Sequence, residues 1–272
     1  MDPQGLGLKR IILFRFHDQY DVCINRIEYL RRFNPSSPVF GLYGGSASAF
    51  EEAGRALSGH LDGIWRIPVE APKWKWRHGD ISLALWYREV GRHIPFDMLH
   101  LAEWDLLLLG NLEDIYGRAG TEGVALVGLT PLARIQHKWH WTTKEPLAAE
   151  WRQLQAHVER RYGWKGPYLA CQGPGNAFSR EFLERYAQEE LPELVHEELR
   201  IPLYAQAWGF KVDPLPRIYR EIQDPAEMTF FNCERRLIKE QVIRRQLATP
   251  MGRRVFHPYR EVFQAVPPWW RF

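Results

Sequence analysis

The chain has 272 residues, of which 45% are hydrophobic and 25% charged, a composition typical of a folded globular protein. A net charge of +3, with no block of five or six Lys and Arg residues, argues against a nucleic-acid partner. The three widely spaced cysteines fit neither a metal site nor a disulfide framework. No apolar run approaches the roughly 20 residues that span a bilayer. We therefore expect a cytoplasmic protein without a transmembrane segment or signal peptide.

Short apolar runs alternate with amphipathic segments through the first half. The β-α-β-α-β-α-β order predicts a mostly parallel sheet with right-handed crossovers. Neither GxGxxG nor GxxxxGK[ST] occurs, so neither a dinucleotide fold nor a P-loop ATPase is favoured. The predicted strands are 10–16, 39–43, 63–67 and a fourth within 96–105; the predicted helices are one capped by Asp21, one at 47–57 and one from Asp80 to about Arg92.

The second half is less regular, but no linker or repeat separates it from the first, so one compact α/β domain is expected. The polar, aromatic segment 134–145 is predicted to be a loop suited to acceptor binding or to a lid. The pairs Trp74/Trp76 and Trp139/Trp141 are either core residues or platforms for sugar rings or bases. Predicted strands are 124–129, 168–171 and 210–212; predicted helices are about 145–161, 180–186, 197–208 and 234–247, and 172–176 is a glycine loop.

The almost unbroken apolar run 96–105 ends in two carboxylates, Glu103 and Asp105. Such a run is typical of a central strand in a parallel sheet, and ligands bind beyond the carboxyl ends of these strands. Residues two apart in an extended segment point the same way, so the two acids can hold one hard cation. Magnesium and manganese prefer such oxygen ligands. The alternative is a strand end with two solvated acids.

Three further motifs follow this acidic pair in order along the chain. They are a glycine segment, 173–180, two acids, Glu197 and Glu198, ahead of the sequence 209–212, and a late histidine, His257. This order resembles the GT-A glycosyltransferases, which transfer a sugar from a sugar nucleotide. The family pattern has D-x-D and E-D where this chain has E-x-D and E-E. Each change keeps a carboxylate.

The resemblance implies a GT-A-like, Rossmann-like single domain over 1–272, in which about 8–130 binds the nucleotide sugar and about 131–272 binds the acceptor. It implies a divalent metal held by Glu103, Asp105 and His257, and Glu198 as the catalytic base with Glu197 beside it. A structural role is the alternative for each of these residues. For Glu197 and Glu198 the reason is that the helix dipole alone favours acids at a helix start. The remaining donor-binding candidates are Phe14, Arg15, Phe16, Asp80, Gly173, Gly175 and Arg180, whose alternatives are core packing, helix capping or a tight turn.

The implied reaction is transfer from a nucleoside-diphosphate sugar to the hydroxyl of a carbohydrate or lipid-linked acceptor, with inversion, assisted by Mn²⁺ or Mg²⁺. The C-terminal tail 266–272, rich in Trp and Pro, either docks on the core or contacts a membrane surface. Two rival functions remain open. One is a nucleotidyltransferase, although the segment 15–19 lacks the glycine of its usual loop. The other is a non-catalytic sugar- or nucleotide-binding module.

Overall fold

Seven strands form one sheet through the centre of the molecule. The structure, a computed structural model, describes residues 7–234 and 236–264. The strands of this sheet are β1 (Arg10–Phe16), β2 (Val39–Tyr43), β3 (Gly63–Arg66), β4 (Met98–Glu103), β6 (Gly123–Pro131), β7 (Leu169–Ser179) and β8 (Lys211–Pro214). Their order is β3-β2-β1-β4-β7-β6-β8; β1 to β4 are mutually parallel, β7 runs antiparallel to both its neighbours, and β8 is parallel to β6. The expected α/β fold with a mostly parallel sheet is confirmed.

Two short strands form a second, antiparallel sheet. In β5 (Leu107–Leu108) and β9 (Val255–Phe256), Leu107 pairs with Phe256. This pairing brings the residue after β9, His257, beside the segment that precedes β5. Ten α-helices lie among the described residues: α1 (Tyr20–Phe33), α2 (Phe50–Leu57), α3 (Pro72–Arg77), α4 (Gly79–Glu89), α5 (Leu112–Tyr116), α6 (His140–Thr143), α7 (Leu147–Tyr162), α8 (Arg180–Gln188), α9 (Glu197–Ala207) and α10 (Glu240–Leu247).

Alternation along the central strands sends their side chains to two separate hydrophobic layers. In β1, Ile11 and Leu13 enter one layer while Ile12, Phe14 and Phe16 enter the other. Arg15 therefore continues the face of Ile11 and Leu13. By the same alternation, Glu103 continues the face of Leu99 and Leu101 in β4, and the parallel register pairs it with Arg15. The strand pattern alone thus places a cation and a carboxylate side by side at the end of the sheet.

The predicted glycine loop is wrong: residues 172–176 lie inside β7. Gly175 has a φ of +86°, and the pairing of β6 with β7 shifts register opposite this segment. The Asn176 amide bridges the irregularity by accepting from the Val127 amide at 2.8 Å and donating to the Gln172 carbonyl at 2.8 Å. These side-chain bonds stand in for ladder bonds that the local geometry cannot make.

Other boundaries also differ from the sequence prediction. Asp21 lies within the first turn of α1 and the N-cap is Gln19, so the predicted cap is wrong. The last predicted helix begins at Glu240 rather than near 234. The segment 134–145 contains α6 and buries Trp139 and Trp141, which makes it more than a polar loop. No helix within 7–234 and 236–264 has the length and apolar character that crossing a membrane requires. The predicted membrane contact of 266–272 lies outside the described residues.

A buried ion pair fastens α9 to α4. The Arg200 Nε donates to Asp80 Oδ2 at 2.7 Å, and both side chains are fully buried. Asp80 also accepts from the Tyr186 hydroxyl, and Arg200 donates to the Leu194 carbonyl at 2.6 Å. Asp80 is therefore committed to this internal network. Because Glu197 and Glu198 begin α9, the network fixes where they stand.

Replacing Arg200 by Met should destabilise the chain strongly, because Asp80 is left as a buried carboxylate without its cation. We expect the free energy of unfolding, measured by urea denaturation, to fall by about 3–5 kcal/mol. Arg134→Met removes a surface pair with Glu221 at 3.0 Å and should cost less than about 1 kcal/mol. Equal effects of the two substitutions would show that the buried pair does not hold α9 in place.

Candidate active site

A cleft of about 600 Å³ opens where β1 and β4 end. Arg15 and Glu103 contribute from these strand ends, and Glu197 and Glu198 from the start of α9. His257 enters from the segment after β9. Most of the acids and bases singled out in the sequence thus share one space at the carboxyl edge of the parallel strands, where ligands of α/β sheets bind.

Glu103, Asp105 and His257 form a group that suits a metal ion. Each offers one ligand atom, and these atoms lie within 4.8 Å of one another. Asp105 and His257 are buried, whereas Glu103 is partly exposed to the cleft. Two carboxylates and one imidazole match the donor preferences of manganese and accommodate magnesium.

The hydrogen bonds around His257 favour this use. Its Nδ1 lies 2.7 Å from the Asn232 carbonyl, which only accepts, so Nδ1 carries the proton. Nε2 is left facing Asp105 Oδ1 at 3.3 Å. Two lone pairs would repel at this distance, so the contact requires either a second proton on the ring or a cation between the two atoms. A carbonyl that fixes the tautomer is the usual support of a metal-binding histidine.

Asp105 is held as an anion. Burial alone would raise its pKa, but His257 and Arg260 lower it to about 2. Arg260 donates from Nε to Oδ2 at 3.1 Å, and the Tyr259 amide donates to the Asp105 carbonyl at 2.8 Å. The carboxylate is charged at any physiological pH, as a metal ligand needs to be.

Arg15 lies between two carboxylates. Its Nη2 contacts Glu103 at 2.5 Å and Glu197 at 3.0 Å, and its Nη1 reaches the second oxygen of Glu197 at 3.3 Å. Burial would lower the pKa of Arg15, but the two carboxylates raise it above its ordinary value. A phosphate that binds Arg15, as the sequence predicts, would therefore have to compete with Glu103 and Glu197 for its guanidinium.

Glu198 has a different environment from its neighbour Glu197. Its Oε2 accepts from the Trp141 indole N–H at 2.8 Å, and the neighbouring His196 is neutral, because burial holds its pKa well below the ordinary value. Burial raises the pKa of Glu198 to about 8, because the neutral Trp141 partner offsets only part of the desolvation. A carboxyl that titrates near neutral pH is suited to taking and releasing a proton.

Two glycines make room for the Arg15–Glu197 contact. A Cβ on Gly79 would lie 1.6 Å from Arg15 Nη1 and 2.4 Å from Glu197 Oε2. A Cβ on Gly173 would lie 2.7 Å from Glu197 Oε1. Gly173 therefore allows close packing of the site's own side chains, and since it also lines the cleft, its predicted approach to the sugar stays a prediction.

Four of the predicted donor-binding residues lie elsewhere or are committed to other contacts. Phe14 is fully buried, and Phe16, although it borders the cleft, is 1% exposed, so both rings serve the core. Arg180 follows Ser179, which pairs with Met98 at the amino end of β4, so it lies at the opposite edge of the sheet. There it donates to the Ile94 and Arg92 carbonyls. Asp80 is buried against Arg200 as described above.

Three partners of the predicted residues went unassigned in the sequence. They are Trp141, which donates to Glu198, Asn232, which orients His257, and Arg260, which pairs with Asp105. Each lies 25 to 155 positions from its partner, so no local spacing signals the contact. The only sequence signal was the aromatic, polar character of the segment that contains Trp141.

No family model and no curated protein matches the chain. Among solved structures it is similar to the bifunctional glycosyltransferase WbbM, at 10% identity and a TM-score of 0.47, over 94% of this chain and 46% of that one. It is similar to the mannosyltransferase PcManGT from Pyrobaculum calidifontis, solved with GDP-Man and Mn²⁺, at 13% identity and 0.49, over 89% and 62%. It is also similar to the galactosyltransferase LgtC, solved with donor and acceptor sugar analogues, at 11% identity and a TM-score of 0.38, over 80% of this chain and 81% of that one.

All three of these proteins are glycosyltransferases, the class that the motif order of the sequence resembles. The chain spans less than half of WbbM and less than two thirds of PcManGT. Similarities at these identities, with TM-scores below 0.5, carry no argument about activity. The function is therefore inferred from the side chains of the cleft.

The raised pKa of Glu198 predicts a pH-dependent stability. The folded chain keeps this proton up to about pH 8, whereas the unfolded chain releases it near the ordinary value of 4.5. The stabilisation is complete below about pH 4.5 and is lost as the pH rises through 8. Relative to Glu198→Gln, the wild type should lose roughly 1 kcal/mol per pH unit between pH 5 and 8 in urea denaturation with a chelator.

The matched control for this measurement is Glu234→Gln, an exposed acid of the same cleft. It should keep the slope of the wild type, because it retains Glu198. Parallel stability curves for the wild type and Glu198→Gln across this range would show that Glu198 is not the group that binds the proton.

Proposed function

We propose that the protein is a metal-dependent glycosyltransferase that moves a sugar from a nucleoside-diphosphate sugar to an acceptor hydroxyl, with inversion. The observation that carries the proposal is the convergence of two unlike groups in one cleft. One is the metal-suited set Glu103, Asp105 and His257, and the other is the buried carboxyl of Glu198. A leaving diphosphate needs its charge neutralised, and an acceptor hydroxyl needs a base, so the two groups serve the two halves of this reaction.

The metal half rests on Asp105 and His257, with Glu103 as the third ligand. These residues would hold Mn²⁺ or Mg²⁺, which would act as a Lewis acid and offset the negative charge of the leaving diphosphate. Asp105 stays ionised, and the Asn232 carbonyl holds His257 with Nε2 toward the site. Glu103 shares its carboxylate with Arg15 at 2.5 Å. Its coordination therefore depends on whether Arg15 keeps or releases this contact.

The base half rests on Glu198 rather than Glu197. Both oxygens of Glu197 contact Arg15, at 3.0 and 3.3 Å, and this cation opposes the rise that burial causes in the pKa of Glu197. The donors to the Glu198 carboxyl are neutral, the Trp141 indole N–H and the Gly173 backbone N–H, and burial raises its pKa to about 8. Its proton affinity is thus the better match to an acceptor hydroxyl.

In the proposed reaction, the acceptor oxygen attacks the anomeric carbon of the donor as Glu198 takes the hydroxyl proton. The new carbon–oxygen bond forms on one face of the sugar while the bond to the diphosphate oxygen breaks on the other. One displacement of this kind inverts the anomeric configuration. The acceptor is a carbohydrate or a lipid-linked sugar, and the nucleoside diphosphate leaves with its charge neutralised.

Asp105→Asn should remove metal-dependent binding of a nucleoside diphosphate. Calorimetric titration of UDP and of GDP into the wild type is expected to show binding of at least one of them in the presence of Mn²⁺ and its loss with a chelator. In Asp105→Asn the metal-dependent part should fall at least tenfold, because one of two buried ligands loses its charge. Glu234→Gln, from the same cleft, should bind as the wild type does.

The same titration separates the rival functions. Binding of nucleoside triphosphates alone would indicate a nucleotidyltransferase, and binding of no nucleotide would indicate a sugar-binding module. Metal-independent binding of the diphosphate would contradict the assignment of Glu103, Asp105 and His257.

Glu198→Gln should slow turnover about 10²- to 10⁴-fold while leaving nucleotide binding intact, because an amide cannot take the acceptor proton. Turnover is measured as nucleoside diphosphate released from a panel of UDP- and GDP-sugars, with water as the acceptor where no other is known. The wild-type rate should rise with pH toward about 8, as Glu198 loses its proton. Unchanged turnover in Glu198→Gln would exclude this residue as the base.

A further inference from the structure

One aromatic side chain stands apart from all others that the structure describes. Trp76 is 64% exposed, whereas every other Trp, Tyr and Phe within the described ranges is buried or half-buried. It belongs to α3 and borders the cleft that holds the acidic groups. Covering a large apolar ring gains free energy, and the position of Trp76 at the border of the cleft makes its ring available to a ligand that binds there.

The position of Trp76 is fixed by two neighbouring rings and by the contacts of its helix. Its ring lies 5.6 Å from the Trp141 ring and 5.2 Å from the His196 ring, and the latter two stack on each other at 4.4 Å. The helix that carries it is fastened by Lys75, which donates to the Gly45 carbonyl at 2.6 Å, and by the ion pair of Arg77 with Glu150. The ring is therefore a fixed surface, and a ligand that binds it pays little ordering entropy.

The same stack leads directly to the proposed base. Trp141, which supports Trp76, donates its indole N–H to Glu198 Oε2 at 2.8 Å. His196, the other support, caps the helix that begins with Glu197 and Glu198. Trp76 is thus one aromatic ring removed from the carboxyl that would accept the proton of the acceptor. This neighbourhood is the acceptor side of the reaction rather than the metal side.

We infer that Trp76 is the stacking platform of the acceptor, and that the acceptor is a pyranose ring of a carbohydrate. The inference rests on the proposed function for the role of Glu198. One face of a pyranose ring presents several C–H groups, which are attracted by the negative face of an indole ring. Its hydroxyls at the rim remain free to reach polar groups, one of them Glu198. The Trp76 ring would contact the apolar face of the sugar, and the nearby Glu198 carboxyl would bind a hydroxyl at its polar edge.

The surroundings of Trp76 favour a sugar over a membrane or a protein partner. The other residues of α3 include Lys73, Lys75 and Arg77. Among the residues that the structure describes, the other exposed large apolar side chains are Leu237, Met251 and Val262, and none of them borders the cleft. A membrane or protein surface needs a contiguous apolar patch of a few hundred Å². A single ring beside polar groups provides the smaller contact that a sugar needs.

Saturation-transfer NMR with methyl pyranosides and short oligosaccharides tests the platform. In the wild type, at least one glycoside should receive saturation through the C–H protons of one ring face. Trp76→Ala should weaken its binding about three- to tenfold, and Trp76→Phe should retain part of it. Met251→Ala, which removes another exposed apolar side chain (90% exposed), is the matched control and should bind as the wild type does. Melting temperatures confirm that each variant is folded.

The outcomes separate this inference from the proposed function. Loss of glycoside binding in Trp76→Ala, with partial retention in Trp76→Phe, supports the platform. If the wild type then binds no nucleoside diphosphate with Mn²⁺, only the proposed transferase function is overturned. Absence of glycoside binding in the wild type, or equal binding in Trp76→Ala, overturns the platform. It is also overturned if Trp76→Ala instead loses binding of uridine or guanosine, or of phosphatidylcholine vesicles.

Discussion

Arg15 contacts two carboxylates that belong to different parts of the cleft, and the rest of the site is arranged around this double ion pair. Glu103 comes from the end of β4 and belongs to the metal-suited group, while Glu197 begins α9 and adjoins the proposed base. Without Arg15, two buried or half-buried carboxylates would face each other, at a cost that grows as the local dielectric falls. One cation therefore allows both acidic groups to share a single cleft.

The position of Arg15 follows from the strand pattern, but its partner Glu197 is placed by long-range contacts. Register and alternation put Arg15 beside Glu103 on the face of the sheet that α4 and α9 cover. The buried Asp80–Arg200 pair then fixes the start of α9 over that face. Gly79, next to Asp80, leaves the space into which Arg15 and Glu197 extend. The ion pairs of the cleft and the helix packing beneath it are thus one connected arrangement.

The sequence was informative where chemistry follows local pattern. The short apolar runs predicted the bounds of β1 and β2 to the residue. The order of the acidic motifs and His257 predicted a group of metal ligands, and the β5–β9 pairing does bring these side chains together. It failed where a local signal has two meanings. Gly173 and Gly175 predicted a loop, yet they lie in β7, where the Asn176 side chain bonds to the Val127 amide and the Gln172 carbonyl across the register shift. Trp141 and Arg260 were beyond reach, since only the folded chain brings them to Glu198 and Asp105.

Glu197 and Glu198 show how adjacent residues of the same type acquire different chemistry. Both open α9 and both are buried, so the helix dipole and desolvation act on them alike. The difference is the partner: the Arg15 guanidinium offsets part of the rise that burial causes in the pKa of Glu197, whereas the neutral Trp141 indole leaves Glu198 with a pKa of about 8. Were Trp141 replaced by a cation, the pKa of Glu198 would fall and the cleft would lose its proposed proton acceptor. Trp141 therefore has two roles in the proposed site, since its indole N–H orients the Glu198 carboxyl while its ring packs between His196 and Trp76.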